Sequence, residues 1–167
     1  MPSAPLGCRR YPRQLEEAIT PKTKALILCS PSNPTGSVYT QEELKALADV
    51  LEKHPQVYII ADEIYEHINY IGQHESIAQF TTIHDRVVIV NGVSKGYAMT
   101  GWRIGWIAAP QWIASACNML HAEAIHCGAA IHPMRHPVIA YPLDTPFTTT
   151  TRSCIVGNWA IDSCCPI

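Results

Sequence analysis

Apolar residues fall into short continuous runs separated by polar, proline-rich or glycine-rich stretches. Ala25-Leu26-Ile27-Leu28-Cys29 is such a run, and it predicts a strand buried on both faces. It ends at Ser30-Pro31-Ser32-Asn33-Pro34-Thr35-Gly36, where two prolines and a glycine leave only loop. Thr40, with Glu43 three residues on, has the form of a capping box. Leu44, Leu47, Ala48 and Leu51 then recur at helical spacing as one apolar stripe, and Pro55 stops the helix. Val57 to Ala61 predicts a second buried strand ending at Asp62. Val87 to Val90 predicts a third, ending near Asn91-Gly92, and Ile104 to Ala109 a fourth. Arg13 to Ile19 is a short helical candidate, and Pro110 opens another helix. Strands joined by long connections imply parallel neighbours with right-handed crossovers, so the class is α/β.

Composition adds limits. A length of 167 residues suits one domain, and 47% apolar with 16% charged residues supplies a core and excludes a disordered chain. Twelve basic against fourteen acidic side chains leave a net charge of −2, with no electrostatic claim on nucleic acid or an anionic membrane. The stretch nearest to a membrane span, Ile104 to Ala122, is broken by Pro110, Gln111, Asn118 and His121. Residues 1–11 lack the apolar core of a signal peptide and differ in character from the segment after them. Seven cysteines, without framework spacing, fit a reducing cytoplasm.

Charge then thins out. From Ser115 onward only Glu123, Arg135, Asp144, Arg152 and Asp162 are charged, while five of the seven cysteines lie there. The expected organisation is an atypical start (1–11), an orderly part (12–118) and an irregular tail (119–167). The tail has the composition of an out-of-frame or replaced terminus, with little packed structure beyond a helix continuing from Pro110. Its Cys117, His121, His126 and Cys127 do not make a metal site, because histidines five apart share a helix face poorly.

In an open α/β sheet, ligands bind beyond the carboxyl ends of the strands. Here the first three strand ends lead to Asn33, to Asp62 and Tyr65, and to Ser94 and Lys95. Arg103 stands eight residues after Lys95. An amide, a carboxylate, a phenol, a hydroxyl, an amine and a guanidinium can therefore converge on one crevice. Neither a Gly-x-Gly-x-x-Gly turn nor a Gly-Lys-Ser/Thr loop is present to suggest a dinucleotide or nucleoside triphosphate.

Three segments together resemble a known family. Ser30-Pro31-Ser32-Asn33-Pro34-Thr35-Gly36, Ala61-Asp62-Glu63-Ile64-Tyr65 and the stretch Ser94-Lys95-Gly96-Tyr97-Ala98-Met99-Thr100-Gly101-Trp102-Arg103-Ile104-Gly105-Trp106 are similar to motifs of class I aminotransferases. These are fold-type I pyridoxal 5'-phosphate enzymes, and the likeness is to the bacterial aspartate aminotransferase branch. It covers residues 12–118. Each motif alone says little; the three in order, at βα spacing, are specific.

The resemblance implies part of a three-layer α/β/α large domain with a mostly parallel sheet. It implies that Lys95 forms the Schiff base with the cofactor aldehyde, where desolvation and nearby cations favour the neutral amine. Asp62 would pair with the pyridine nitrogen and keep it protonated. Tyr65 and Asn33 would hydrogen-bond the ring's phenolic oxygen. Arg103 would hold the phosphate through its planar fork, with Ser94 adding a hydroxyl. Trp102 and Trp106 would pack, and Glu63 and His67 would be structural rather than catalytic.

The implied substrates are an amino acid and a 2-oxo acid, with aspartate and 2-oxoglutarate leading. A homodimer is implied for the full-length family. Family members are much longer, and their other parts supply further cofactor contacts and the grip on the substrate carboxylate. The chain alone is therefore expected to bind the cofactor weakly or not at all and to show no turnover. Two rivals remain at this point. One is another fold-type I reaction, such as a carbon–sulfur or cyclopropane-forming lyase, against which Tyr97-Ala98-Met99-Thr100-Gly101-Trp102 argues. The other is a non-catalytic fragment that docks on a full-length subunit.

Overall fold

A computed structural model describes residues 12–102, 104–127 and 138–142. The elements run α1 (Pro12–Ala18), β1 (Ala25–Cys29), α2 (Gln41–Glu52), β2 (Tyr58–Asp62), β3 (Val87–Gly92), β4 (Gly105–Ala109), α3 (Gln111–Cys127) and β5 (Val138–Pro142). The strands form one sheet in the order β1-β2-β3-β4-β5. Pairs β1–β2, β2–β3 and β4–β5 are parallel. The class is α/β with a mostly parallel sheet, as the sequence implied.

The local causes of α2 are visible at its start. The Glu43 N–H donates to Thr40 Oγ1 at 3.2 Å, and the Thr40 N–H donates to the Glu43 carboxylate at 2.8 Å. Two backbone donors at the helix start are thereby satisfied. The stripe Leu44, Leu47, Ala48 and Leu51 is buried and packs on Leu26, Leu28, Ile59 and Ala61 of the sheet. Leu15 of α1 and Ile77 and Ile83 from the β2–β3 connection complete this core. Buried Arg86 ties the layers together. Its guanidinium donates to the carbonyls of Leu51, His54 and Val57 at 2.9–3.2 Å, joining the end of α2 to the starts of β2 and β3.

Two expectations are corrected. First, β1 is not buried on both faces: Leu26 and Leu28 point into the core, whereas Ile27 is 66% exposed. Helices α1 and α2 both serve the Leu26 side. Helix α3 lies against β4 and β5 and reaches Tyr58 of β2 edge-on through Trp112, at a ring separation of 5.8 Å. Second, β4 runs antiparallel to β3, because the chain after Val93 turns back beside the strand instead of crossing over the sheet. The helix expected to continue from Pro110 is present, and one further strand is described after it. Helix α3 continues to Cys127, and Val138–Pro142 adds β5 beside β4. That run of β-favouring Val138, Ile139 and Tyr141 is local, and an argument from average composition passes over it. The rest of the tail, residues 1–11 and Arg103 lie outside the described residues. Among the described residues, no helix is long and apolar enough to cross a membrane.

Candidate functional site

The parallel register sets three strand ends level, with Cys29 beside Asp62 and Asp62 beside Val90. The loops after β1, β2 and β3 therefore leave the sheet together at its carboxyl edge. In the first loop, the Ser32 N–H donates to Ser37 O at 3.0 Å and the Gly36 N–H donates to Ser32 O at 2.7 Å. Gly36 sits at φ +67, a left-handed conformation suited to glycine. This small closed loop carries Asn33. The peptide bonds before Pro31 and Pro34 are cis.

After β2 the chain turns tightly. The Ile64 N–H donates to Asp62 Oδ1 at 3.2 Å, the Glu66 N–H to Glu63 O at 2.9 Å, and the Ile68 N–H to Tyr65 O at 2.8 Å. Asp62 alternates with buried Ile59 and Ala61, so it faces away from the α2 core and is half-buried. Tyr65 is carried out toward the first loop, where Asn33 Nδ2 donates to its hydroxyl at 3.2 Å. The two residues also wall a cavity of about 340 Å³ lined by Pro31, Val38, Ile68 and Ile71.

The third loop begins at buried Val93 and half-buried Ser94. The Tyr97 N–H donates to Val93 O and the Ala98 N–H to Lys95 O, each at 3.2 Å, so Lys95 sits in a closed turn. Ala98 adopts φ +52. A left-handed non-glycine residue costs about 1–2 kcal/mol and marks a constrained segment. Met99 anchors it by packing with Ile104 on Val93 and Trp106. Lys95 Nζ comes to rest 5.6 Å from the Tyr65 ring centroid, within cation–π range.

Of the residues singled out from the sequence, Asn33, Tyr65 and Lys95 are thus in direct relation. Asp62 and Ser94 stand at the ends of β2 and β3 on the same edge. Sequence reasoning missed the partners of Glu63. This buried carboxylate accepts from Ser76 Oγ at 2.6 Å and lies 3.0 Å from His74 Nε2. Burial works against a charged His74. The hydrogen bond and charge of Glu63, with Glu66 and Glu75, outweigh it and raise the His74 pKa above its usual 6.5. Ligand atoms of Glu63, Glu66 and His74 lie within 4.8 Å of one another. With Glu63 already engaged by Ser76 and His74, the group acts as a polar tie behind the β2 turn. No spacing rule points to partners 11 and 13 residues away.

Residues 9–152 match the family model of aminotransferase class I and II. The chain belongs to this family. An aspartate aminotransferase of Geobacillus stearothermophilus is 55% identical over 115 residues, which is 68% of this chain and 29% of that protein. A bifunctional aspartate aminotransferase and glutamate/aspartate-prephenate aminotransferase of Petunia hybrida is 49% identical over 113 residues, 67% of this chain and 24% of that protein. Among solved structures, an aromatic aminotransferase from Pyrococcus horikoshii OT3 superposes with a TM-score of 0.60 at 46% identity, over 63% of this chain and 28% of that one. The Thermus thermophilus aspartate aminotransferase with maleate gives 0.53 at 48% identity, over 57% and 24%. Such relatives establish the fold-type I architecture. The chain spans 24% to 33% of the length of the curated aminotransferases compared with it.

Proposed function

We propose that the chain carries the cofactor-holding centre of a pyridoxal 5'-phosphate-dependent aminotransferase acting on an L-amino acid, aspartate first, and a 2-oxo acid. The observation that carries the reading is the meeting of Asn33, Tyr65 and Lys95, from three separate loops, at one edge of the sheet. The donor set fits the group. Because Asn33 donates to the Tyr65 oxygen, the phenol keeps its own proton free to donate outward to a ring oxygen. Asp62 spends one acceptor position on the Ile64 N–H and retains others for a protonated ring nitrogen. Ser94 and Arg103 take the phosphate by resemblance to the family.

When bound, the cofactor supplies an aldehyde and a ring that accepts electron density from the substrate α-carbon. Lys95 supplies the amine that meets the aldehyde, and afterwards the base that carries a proton at the α-carbon. The face of Tyr65 under Nζ limits where that amine can swing. The same reading expects the family's homodimer and a cytoplasmic setting. It also holds that the chain by itself turns over no aspartate, as a chain that spans no more than 33% of the length of the curated aminotransferases compared with it.

Two measurements test this. Purified chain is treated with pyridoxal phosphate, reduced with borohydride and mapped by mass spectrometry. Label should concentrate on Lys95 and vanish from that peptide in Lys95→Ala, and Tyr65→Phe should need more cofactor for the same label. Equal labelling of all five lysines would overturn the site. In a coupled assay, a rate that saturates with aspartate and disappears in Lys95→Ala would overturn the inactivity of the chain alone.

A further inference from the structure

The turn that carries Lys95 is gripped from two sides. One grip is the packing of Met99 and Val93 with Trp106. The other comes from the segment after β2. A Cβ built on Gly96 would lie 2.7 Å from His67 Cδ2 and 2.9 Å from His67 Cβ, so the imidazole occupies the place of a side chain there. Only glycine permits so close an approach. The His67 ring also stands edge-on to Tyr97, at 5.2 Å and 74°. Glu66, whose carboxylate is 3.2 Å from His67 Nε2, steadies the ring from outside. The same short segment presents the Tyr65 ring to Lys95 Nζ at 5.6 Å. Residues 65–67 therefore touch the Lys95 turn twice, once under the amine and once against its backbone.

We propose that His67 is a positioning residue for Lys95: by filling the space over Gly96 it sets how the Lys95 turn stands on Tyr65, and hence where the amine lies. The consequence for chemistry rests on the reading of Lys95 as the amine that meets the cofactor aldehyde. Misplacement of a reacting group by about an ångström costs up to about a hundredfold in rate. The mechanism is steric, so it predicts that bulk at position 67, not an imidazole as such, is what matters. It also predicts that positions 67 and 96 are coupled.

The test uses the full chain and begins with a readout that needs no cofactor. The lysines are reductively methylated with ¹³C, and the Lys95 signal is assigned by its loss in Lys95→Arg. A methyl group held over a tyrosine face is shifted upfield by the ring current. The wild type should show this shift. His67→Ala should move the signal toward that of exposed lysines, while His67→Phe should keep it. Gly96→Ala should displace it, and His67→Ala with Gly96→Ala together should restore it, a non-additivity expected only of residues in contact. His67 is exposed, and circular dichroism checks that its variants stay folded.

In parallel, borohydride-trapped pyridoxal phosphate on Lys95, taken relative to the other lysines, should fall about tenfold in His67→Ala and stay within about twofold in His67→Phe. An unchanged Lys95 methyl position in His67→Ala overturns the positioning role. Loss of the shift in His67→Phe as well overturns the steric route. If the methyl responds as expected but wild-type Lys95 takes no more cofactor than the other lysines, the positioning stands and the cofactor reading falls.

Discussion

Replacing Glu63 by glutamine removes one buried charge and little else. Glu63 is 5% exposed, and its two oxygens engage Ser76 Oγ at 2.6 Å and His74 Nε2 at 3.0 Å. Glutamine keeps the shape and leaves Ser76 an acceptor. The side chains of His74 and Glu63 are only 15% and 7% exposed, so solvent screens the pair weakly. With His74 charged, breaking a buried ion pair costs at least about 3 kcal/mol. With His74 neutral, the loss is a hydrogen bond to a charged acceptor, about 2 kcal/mol.

The folded-state pKa of His74 is raised above its ordinary 6.5. Its contribution is therefore complete below that value and is lost as pH rises through the higher folded value. Urea unfolding, with a slope of about 2 kcal/mol per molar, should separate wild type from Glu63→Gln by about 1.5 M at about pH 6, and the gap should narrow at higher pH toward about 1 M as His74 loses its proton. The other seven histidines are common to both proteins and cancel in the difference. A gap that stays constant with pH, or widens toward pH 8, would refute the assignment of the pair.

Arg86→Ala removes three guanidinium hydrogen bonds, while the Leu51 and His54 carbonyls keep the N–H groups of His54 and Val57 as donors. Allowing for partial rehydration of the His54 turn, thermal unfolding should report a loss of about 3–4 kcal/mol, and Arg86→Lys, which lacks the fork, should recover less than half. Thr40→Ala breaks the capping box of α2. It should cost about 1 kcal/mol, with faster amide exchange confined to the first turn of the helix, and protection unchanged at Glu43 would contradict it.

Much of the scaffold was legible because its causes are local. The strand runs at 25–29 and 87–90, the capping box at Thr40 and the stripe through Leu51 depend on neighbours within one turn or one strand. The order of Asn33, Asp62 and Lys95 after successive strands was legible for the same reason, given that parallel strands send their loops to one edge. The sequence could not say what covers each face. A continuous apolar run predicts burial on both sides of β1, yet among the described residues Ile27 is exposed, with α3 packed on β4 and β5.

Strand direction is also absent from periodicity, so the antiparallel β4 emerged only from its pairing with β3. The contacts that shape the site are of the same kind. Asn33 meets Tyr65 across 32 positions, Glu63 meets His74 and Ser76 across 11 and 13, and His67 meets the Lys95 turn only because β2 and β3 lie side by side. In the sequence Gly96 is one glycine beside a lysine. In three dimensions its missing Cβ is the space His67 occupies, and that is set by how two loops leave adjacent strands, a relation no local pattern of residues contains.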